Sequence, residues 1–530
     1  MTTCDPVTLE IIRGAIRAAQ AEMEALLERT AISAFIREKK DFYTALFDAE
    51  GVMAVGSNVP IFGDITGPVF EHFPIDTIQP GDLYWYNDCY GSRGAVSHSN
   101  DQVFLAPVFH DGQRCAFVMG WAHFSDIGGL RPGSISPDAT DIFQEGIIIP
   151  PLKLHEAGRC NTALVRLLVA NVRLPRQLEG DLAAMVNVFG VGRRGLEALV
   201  ARYGEATLRA CIQEMMDRSE TQMRSYIAEI PDGTYRVEDW FDNDGVDDVP
   251  LRVSLALTVS GSGLHFDFTG TAPAARGPMN ISDSTTMSMC LVALKHVFPD
   301  VPVNGGAFRP ARFTIPRRCI LAAEYPSPVG GTTDVTQRVV DVVFAALAQA
   351  IPDLVPAAPF GTTGVATLSG QRPDDGGFFV AVYPYPGGYG ASRASDGLVN
   401  GTPPGSMARF MSVEMSEHRY PLRFDYLRIR EGSGGDGWHR GGCGTAYGIT
   451  ALAPCVVSIL GDRVDHLPPG VGGGYPAAAN EVRLVTAGRD WAPPLRSKVE
   501  RVQLAAGDGI RLASPGGGGF GDPLQRDLAA

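Results

Sequence analysis

Two apolar, β-prone runs, residues 102–109 (QVFLAPVF) and 115–121 (CAFVMGW), flank His110-Asp111-Gly112-Gln113, and a His-x-x-Asp unit sits at the outer end of each run. Asp-Gly between two such runs signals a tight hairpin, because both residues tolerate the positive φ that a two-residue turn requires. Folding about that turn brings residue 101 roughly opposite residue 122. His98-Ser-Asn-Asp101 enters the hairpin and His123-Phe-Ser-Asp126 leaves it, so two imidazoles and two carboxylates reach one end. Neutral nitrogen and anionic oxygen donors are the set that borderline divalent metals take. His98, Asp101 and His123 are therefore the candidate metal ligands. Asp126 is either a fourth ligand or an acceptor orienting an imidazole N–H. Asp41 and Glu38, read alone, are ordinary surface charges.

A chain of 530 residues is too long for one ordinary core and points to roughly two to four domains. A formal charge of -14, with no Lys/Arg cluster, argues against a nucleic-acid partner. The first residues carry neither a basic nor an apolar leader segment. No apolar run reaches membrane-spanning length; the longest, residues 339–351, is short and carries Asp341 and Gln349. Nine cysteines without a Cys-x-x-Cys pair read as reduced, mostly buried thiols of a cytoplasmic protein.

Asp5-Pro6 is a helix start, followed by an apolar stripe through Val7, Ile11, Ile12, Ala15, Ala19, Met23 and Leu26-Leu27. Residues 39–48 and 82–87 read as strands, residues 164–227 as mainly helical, and residues 234–239, 252–259 and 264–268 as strands. Residues 284–297 and 334–351 read as helices, and the last 110 residues as strands and glycine loops. Strands do not alternate regularly with helices, so the expectation is a multi-domain α+β fold with mixed or antiparallel sheets, helical segments and Gly-rich loops. The expected divisions are an α+β region over 1–160 carrying the metal site, a mainly helical segment over 161–232, a central α+β region over 233–420, and a β/Gly-rich region over 421–530.

Residues 515–521 (PGGGGFG) lack the Lys-Ser/Thr ending of a phosphate loop, and no Gly-x-Ser-x-Gly elbow occurs. Gly128-Gly129, Pro132-Gly133-Ser134 and Gly330-Gly331-Thr332-Thr333 are loops whose amides suit an anion, each a weak signal by itself. Any chemistry then falls to the metal.

An ordered set of motifs extends this reading. Lys39-Lys-Asp41-Phe-x-x-Ala-Leu-Phe-Asp48, Asn87-Asp88-x-Tyr90-Gly91, His98-x-x-Asp101 and Ala122-His123-x-x-Asp126-Ile-Gly-Gly-x-x-Pro132-Gly-Ser134 come first. Gln144-Glu145-Gly146, Asn171-x-Arg173-x-Pro175, Asn304-Gly-Gly306, Arg440-Gly-Gly442 and the terminal glycine loop with Asp522-Pro follow. Together they resemble the hydantoinase B/oxoprolinase family over nearly the whole chain. The resemblance implies a B-type subunit of a hetero-oligomer whose hydantoinase A-like partner binds ATP and phosphorylates the substrate carbonyl. The B-type subunit would then act on that species at a divalent metal (manganese, zinc, iron or cobalt). Carried across, the ligands are His98, Asp101 and His123, with Asp41 the further carboxylate, and Asp41 or Asp126 the general base. A cyclic amide (hydantoin, lactam or oxoproline type) is the expected substrate. A ketone carboxylase subunit using the same site is the alternative, and a scaffold subunit, with Cys89 able to close a structural zinc site, is the second. The chain departs from the family pattern at Cys89, along Ser92–Ser97, and at Phe124, where a second histidine is common.

Overall fold

The computed structural model describes residues 4–56 and 64–527, so Met1–Thr3, part of the start read for a leader, lie outside it. The chain forms helices α1 (Pro6–Thr30), α2 (Ala34–Arg37), α3 (Gly67–His72), α4 (Thr162–Val169), α5 (Pro175–Tyr203), α6 (Glu205–Ala228), α7 (Asp283–Val297), α8 (Thr332–Ala350) and α9 (Val413–Arg419). With several antiparallel sheets, this is the expected α+β architecture.

The N-terminal strands are β1 (Phe42–Phe47), β2 (Met53–Gly56), β3 (Leu83–Tyr86), β4 (Asp101–His110), β5 (Gln113–His123), β6 (Leu152–Glu156) and β7 (Arg159–Cys160). They form one antiparallel sheet in the order β2-β1-β5-β4-β3-β6-β7. One face packs on α1 and α5 through Phe42, Leu46, Phe104, Val118 and Ala122. The Asp5 carboxylate caps α1 by accepting from the Val7 and Thr8 amides at 3.0 and 3.1 Å. The buried stripe of α1 is Leu9, Ile12, Ile16, Ala19, Met23 and Leu27, leaving Val7 and Ile11 exposed. The expected stripe holds at Ile12, Ala19, Met23 and Leu27, while Leu9 and Ile16 take the buried places expected of Val7 and Ile11 on the side facing α5.

Strands β8 (Gly233–Phe241), β9 (Leu251–Ser260), β10 (Gly263–Asp267) and β11 (Ala311–Thr314) form a second sheet, ordered β11-β10-β9-β8, against which α8 packs with α7 beside it. Helix α8 is buried along most of its length. Its Arg338 donates to Asp239 and Asp462 at 2.9 Å each, while Arg463 pairs with Asp239 and Asp341, fixing the helix to β8 and to the loop at 461–466.

The remaining strands are β12 (Val365–Gln371), β13 (Phe378–Tyr383), β14 (Leu422–Ile429), β15 (Thr445–Ala451), β16 (Cys455–Leu460), β17 (Glu481–Thr486), β18 (Arg489–Trp491), β19 (Val499–Leu504) and β20 (Gly509–Ala513). They build two sheets, β13-β12-β16-β19 and β14-β15-β20-β17-β18, sharing a core of Leu368, Tyr383, Phe424, Tyr447, Ile459 and Leu484. The glycine loop at 515–521 is buried between other backbone segments; a Cβ on Gly517 would lie 2.0 Å from the Tyr389 carbonyl carbon.

The cysteine reading needs one correction. Cys4 and Cys211 form a disulfide across 207 residues, with Cα atoms 5.3 Å apart. Local spacing carries no trace of such a pair, and the cysteines as a set no longer argue for a reducing compartment. Of the other seven, Cys89, Cys115, Cys290, Cys319 and Cys455 are buried thiols. Among the described residues no helix is long and apolar enough to cross a membrane.

Candidate functional site

The hairpin forms as expected, but its register is shifted. Asp111 and Gly112 take φ of 48° and 77°, a turn with both central residues left-handed. His110 pairs with Gln113 and Phe109 with Arg114; Val108 then pairs with Ala116, leaving Cys115 as a bulge. Asp101 therefore faces His123, not residue 122. Because side chains alternate faces, the bulge is what puts these two on the same side of the sheet. On the other flank of β5, Phe42 pairs with Ala122 and the His123 amide donates to the Asp41 carbonyl at 3.1 Å. Asp41, His123 and Asp101 thus stand in line across three strands, on the face opposite α1 and α5.

His98 joins them from the turn before β4. Asp101 Oδ2 accepts from the Ser97 amide and hydroxyl at 2.9 and 2.8 Å, and Oδ1 lies 3.2 Å from His98 Nε2. The two imidazole centroids are 5.0 Å apart. Phe35 of α2 stacks on His123 at 4.1 Å, and the Lys39 ammonium lies 4.0 Å from the Phe35 centroid while donating to the Val382 carbonyl.

All four side chains border a cavity of about 130 Å³ where the three regions of the chain meet. Phe35, Trp121 and Ile135 line it from the first region, Thr285, Ser288 and Met289 from α7, Thr332, Thr333, Thr336 and Gln337 from α8, and Val365 and Val382 from the C-terminal sheets. Four buried polar atoms in this wall have no hydrogen-bond partner: His98 Nδ1, His123 Nδ1, Trp121 Nε1 and Thr332 Oγ1. Buried polar atoms are normally satisfied, so such a concentration marks a place built for something else to bind.

Electrostatics separate the roles. Burial, reinforced by the neighbouring Asp101 carboxylate, pushes Asp41 up to about 7. Burial pulls Lys39 down to about 7. Burial and the charge of His98 hold His123 well below the usual imidazole range, so it is neutral. For His98, burial is the largest single effect and acts downward, but the carboxyls of Asp101, Asp41 and Glu145 together outweigh it and the net shift is upward. A neutral imidazole and a carboxylate are the forms that bind metal.

The donor chemistry suits a divalent cation: each histidine keeps one uncommitted, buried nitrogen, and two carboxylates stand beside them. Among the described residues, however, no three His, Cys, Asp or Glu side chains already surround a common point.

Other expected residues fall elsewhere. Asp126 does not line the cavity; its oxygens accept from the Gly128, Gly133 and Arg173 amides at 3.0 to 3.1 Å and from the Arg173 guanidinium at 2.9 Å. Glu38 pairs with Arg419 at 3.4 Å. Cys89 contacts the Asn87 carbonyl, and burial pushes its thiol far up, away from the thiolate a zinc ion needs. Phe124 packs in the α1/α5 core, so a histidine there would face away from the cavity. Trp121 and Phe35 had escaped notice. Two-residue alternation back from His123 was the available signal for Trp121; a four-residue helix offered none for Phe35. Glu145, uninformative alone, is fully buried and accepts from the Val329 and Gly330 amides at 2.8 and 2.6 Å.

A family model described as Hydantoinase B/oxoprolinase matches residues 5–523. The caprolactamase beta chain of Pseudomonas jessenii is 31% identical, the match covering 100% of this chain and 93% of that one. The B-type chain of a putative D-/L-hydantoinase from Pseudomonas sp. (strain NS671) is 30% identical over 99% of this chain and 91% of its own length. The solved ATP-dependent caprolactamase from Pseudomonas jessenii superposes with a TM-score of 0.90 at 29% identity, covering 100% of this chain and 93% of that one. A nucleotide-free acetone carboxylase structure gives 0.88 at 18% identity, over 99% of this chain and 76% of that one, which is a likeness of fold.

Proposed function

The chain belongs to the hydantoinase B/oxoprolinase family, and from that premise we propose that it is the B-type subunit of an ATP-dependent cyclic amide hydrolase, acting on a carbonyl phosphorylated by an A-type partner. The observation that carries the reading is the cavity fronted by Asp41, His98, Asp101 and His123, with four partnerless polar atoms in its wall. Near-full-length similarity to a caprolactamase beta chain supports the hydrolase over the ketone carboxylase, since the acetone carboxylase match speaks for fold alone.

Amide resonance resists attack by water, and phosphorylation turns the carbonyl oxygen into a leaving group. His123, His98 and Asp101, with Asp41 beside them, would hold the divalent cation. Bound there, the cation supplies Lewis acidity and acidifies water. Asp41, beside the groups that would hold the cation, is placed to accept a proton at its carboxylate as water attacks. Phe35, Ile135, Met289, Val365 and Val382 exclude bulk water and match an apolar ring.

The test is reconstitution with an A-type partner, ATP and a panel of hydantoins, lactams and 5-oxoproline. Ring opening coupled to ATP consumption, lost in Asp41→Asn, is expected. Consumption of ketones dependent on bicarbonate, with no amide opened, overturns the hydrolase reading in favour of a carboxylase.

A further inference from the structure

The proposed hydrolysis leaves the α8 wall of the cavity without a task. Helix α8 runs 19 residues and begins at Thr332 with no side-chain cap. A helix start concentrates positive potential, which favours anions, although the Thr332, Asp334 and Val335 amides already donate to the Val329 and Gly331 carbonyls. By itself that is a common feature. Thr332 adds an independent one: it is 1% exposed, lines the cavity, and its hydroxyl has no partner. The neighbouring hydroxyls are committed, Thr336 donating to the Thr332 carbonyl at 2.7 Å and Thr333 to Asp334 at 3.2 Å. A buried hydroxyl left unpaired carries a free-energy cost that a bound acceptor removes.

Resting on the proposed function, we propose that the N-terminus of α8 and the Thr332 hydroxyl form the seat for a phosphoryl group, borne by the activated substrate or released as phosphate. The carboxyls at the helix start allow it, Asp41 and Asp101 lying on the hairpin wall of the same cavity. Glu145 occupies the Val329 and Gly330 amides just ahead of the helix, and burial pushes it up to about 8, so it is uncharged at neutral pH. Asp334 is turned to the Thr362 hydroxyl and the Thr363 amide. Among the described residues no Lys or Arg lines the cavity. The seat therefore binds through neutral donors and the helix end, weakly enough to let phosphate leave after each turnover.

The experiment titrates the full chain, without ATP or partner, with inorganic phosphate and with methylphosphonate, by calorimetry. Both anions are expected to bind, and Thr332→Val to weaken them by about tenfold or more, the loss of one hydrogen bond to a charged acceptor, with Thr332→Ser restoring affinity. Methylphosphonate binding as tightly as phosphate assigns the seat to the substituted, activated substrate; phosphate binding alone assigns it to the released product. Equal affinity in wild type and Thr332→Val, or loss of binding in His98→Ala but not in Thr332→Val, overturns the proposal. Should Thr332→Val fail to fold, a phosphate-soaked wild-type crystal decides: an anion within hydrogen-bond reach of Thr332 Oγ1 supports the seat, and one elsewhere sinks it. Because no turnover is measured, a failed amide assay with phosphate binding intact rejects the functional reading and leaves the seat standing.

Discussion

Asp101 and His123 face each other across β4 and β5 because one bulged residue, Cys115, shifts the hairpin register between the turn and the site. Without it the two side chains would lie on opposite faces of the sheet, one in the cavity and one against α1 and α5. The same face presents Asp41 on the far side of His123, and His98 closes the group through Asp101.

If these side chains hold a cation, His98→Ala and His123→Ala each lower bound metal to background in purified, folded protein. Elemental analysis beside circular dichroism checks this. Metal retained in both variants places any ion outside the hairpin.

The hairpin turn offers a clean stability test. Gly112 has φ 77°, and a Cβ there would meet nothing within 4 Å. Gly112→Val therefore suffers from backbone conformation alone, an expected loss of about 1–2 kcal/mol in urea denaturation. A neutral result would mean the turn rearranges at no cost.

Asp126 and Arg173 form a different device from the one Asp126 first suggested. The Asp126 side chain is fully buried, and Arg173 is its charged partner. Arg173→Ala leaves that carboxylate unpaired in the interior, with an expected cost of about 3 kcal/mol. Metal content should be unchanged in the folded fraction, since neither residue lines the cavity. A variant of wild-type stability refutes this structural role.

Glu145 sets a pH dependence whose sign can be worked out. Its ordinary value is 4.5, and burial raises it to about 8 in the folded chain. Between those values the folded state keeps a proton that the unfolded state has released, so unfolding liberates protons and stability falls as pH rises. Glu145→Gln cannot titrate. The stability advantage of wild type over this variant should therefore shrink from about pH 4.5 to about pH 8 and level off beyond. Urea midpoints of both proteins across that interval check it; a difference independent of pH contradicts the raised value.

How much of this was legible depends on the range of the interaction. Asp5-Pro6 and Asp111-Gly112 announce their cap and turn because the chemistry is completed within four residues. His98 and Asp101 were readable as a pair for the same reason, and His123 because the Asp111-Gly112 turn folds its strand back beside theirs. Their register was not, because a bulge at Cys115 has no local signature. Choosing Leu9 and Ile16 over Val7 and Ile11 for the buried face of α1 required knowing where α5 lies. The Cys4–Cys211 pair and the approach of Thr332 to the hairpin end join segments some 200 residues apart. Only the folded chain reveals such meetings. Asp41 is intermediate: an unremarkable carboxylate in its own segment, it gained meaning from the motif around it, and its place beside His123 follows from strand pairing.

Trp121 gives the sharpest separation of function from stability. It lies two residues before His123 on the same strand, so alternation turns both toward the cavity. Its indole N–H is buried without a partner in the protein. Trp121→Phe keeps an aromatic ring and removes that donor together with the pyrrole part of the indole. Folding stability should fall by no more than about 1 kcal/mol, since no internal hydrogen bond is lost and the space vacated opens on an existing cavity. A substrate oxygen would lose its bond, so KM in the reconstituted hydrolase should rise about fivefold with kcat much less affected. A variant with unchanged KM and lower stability would show that the indole serves packing, and would return the partnerless nitrogen to an ordered water.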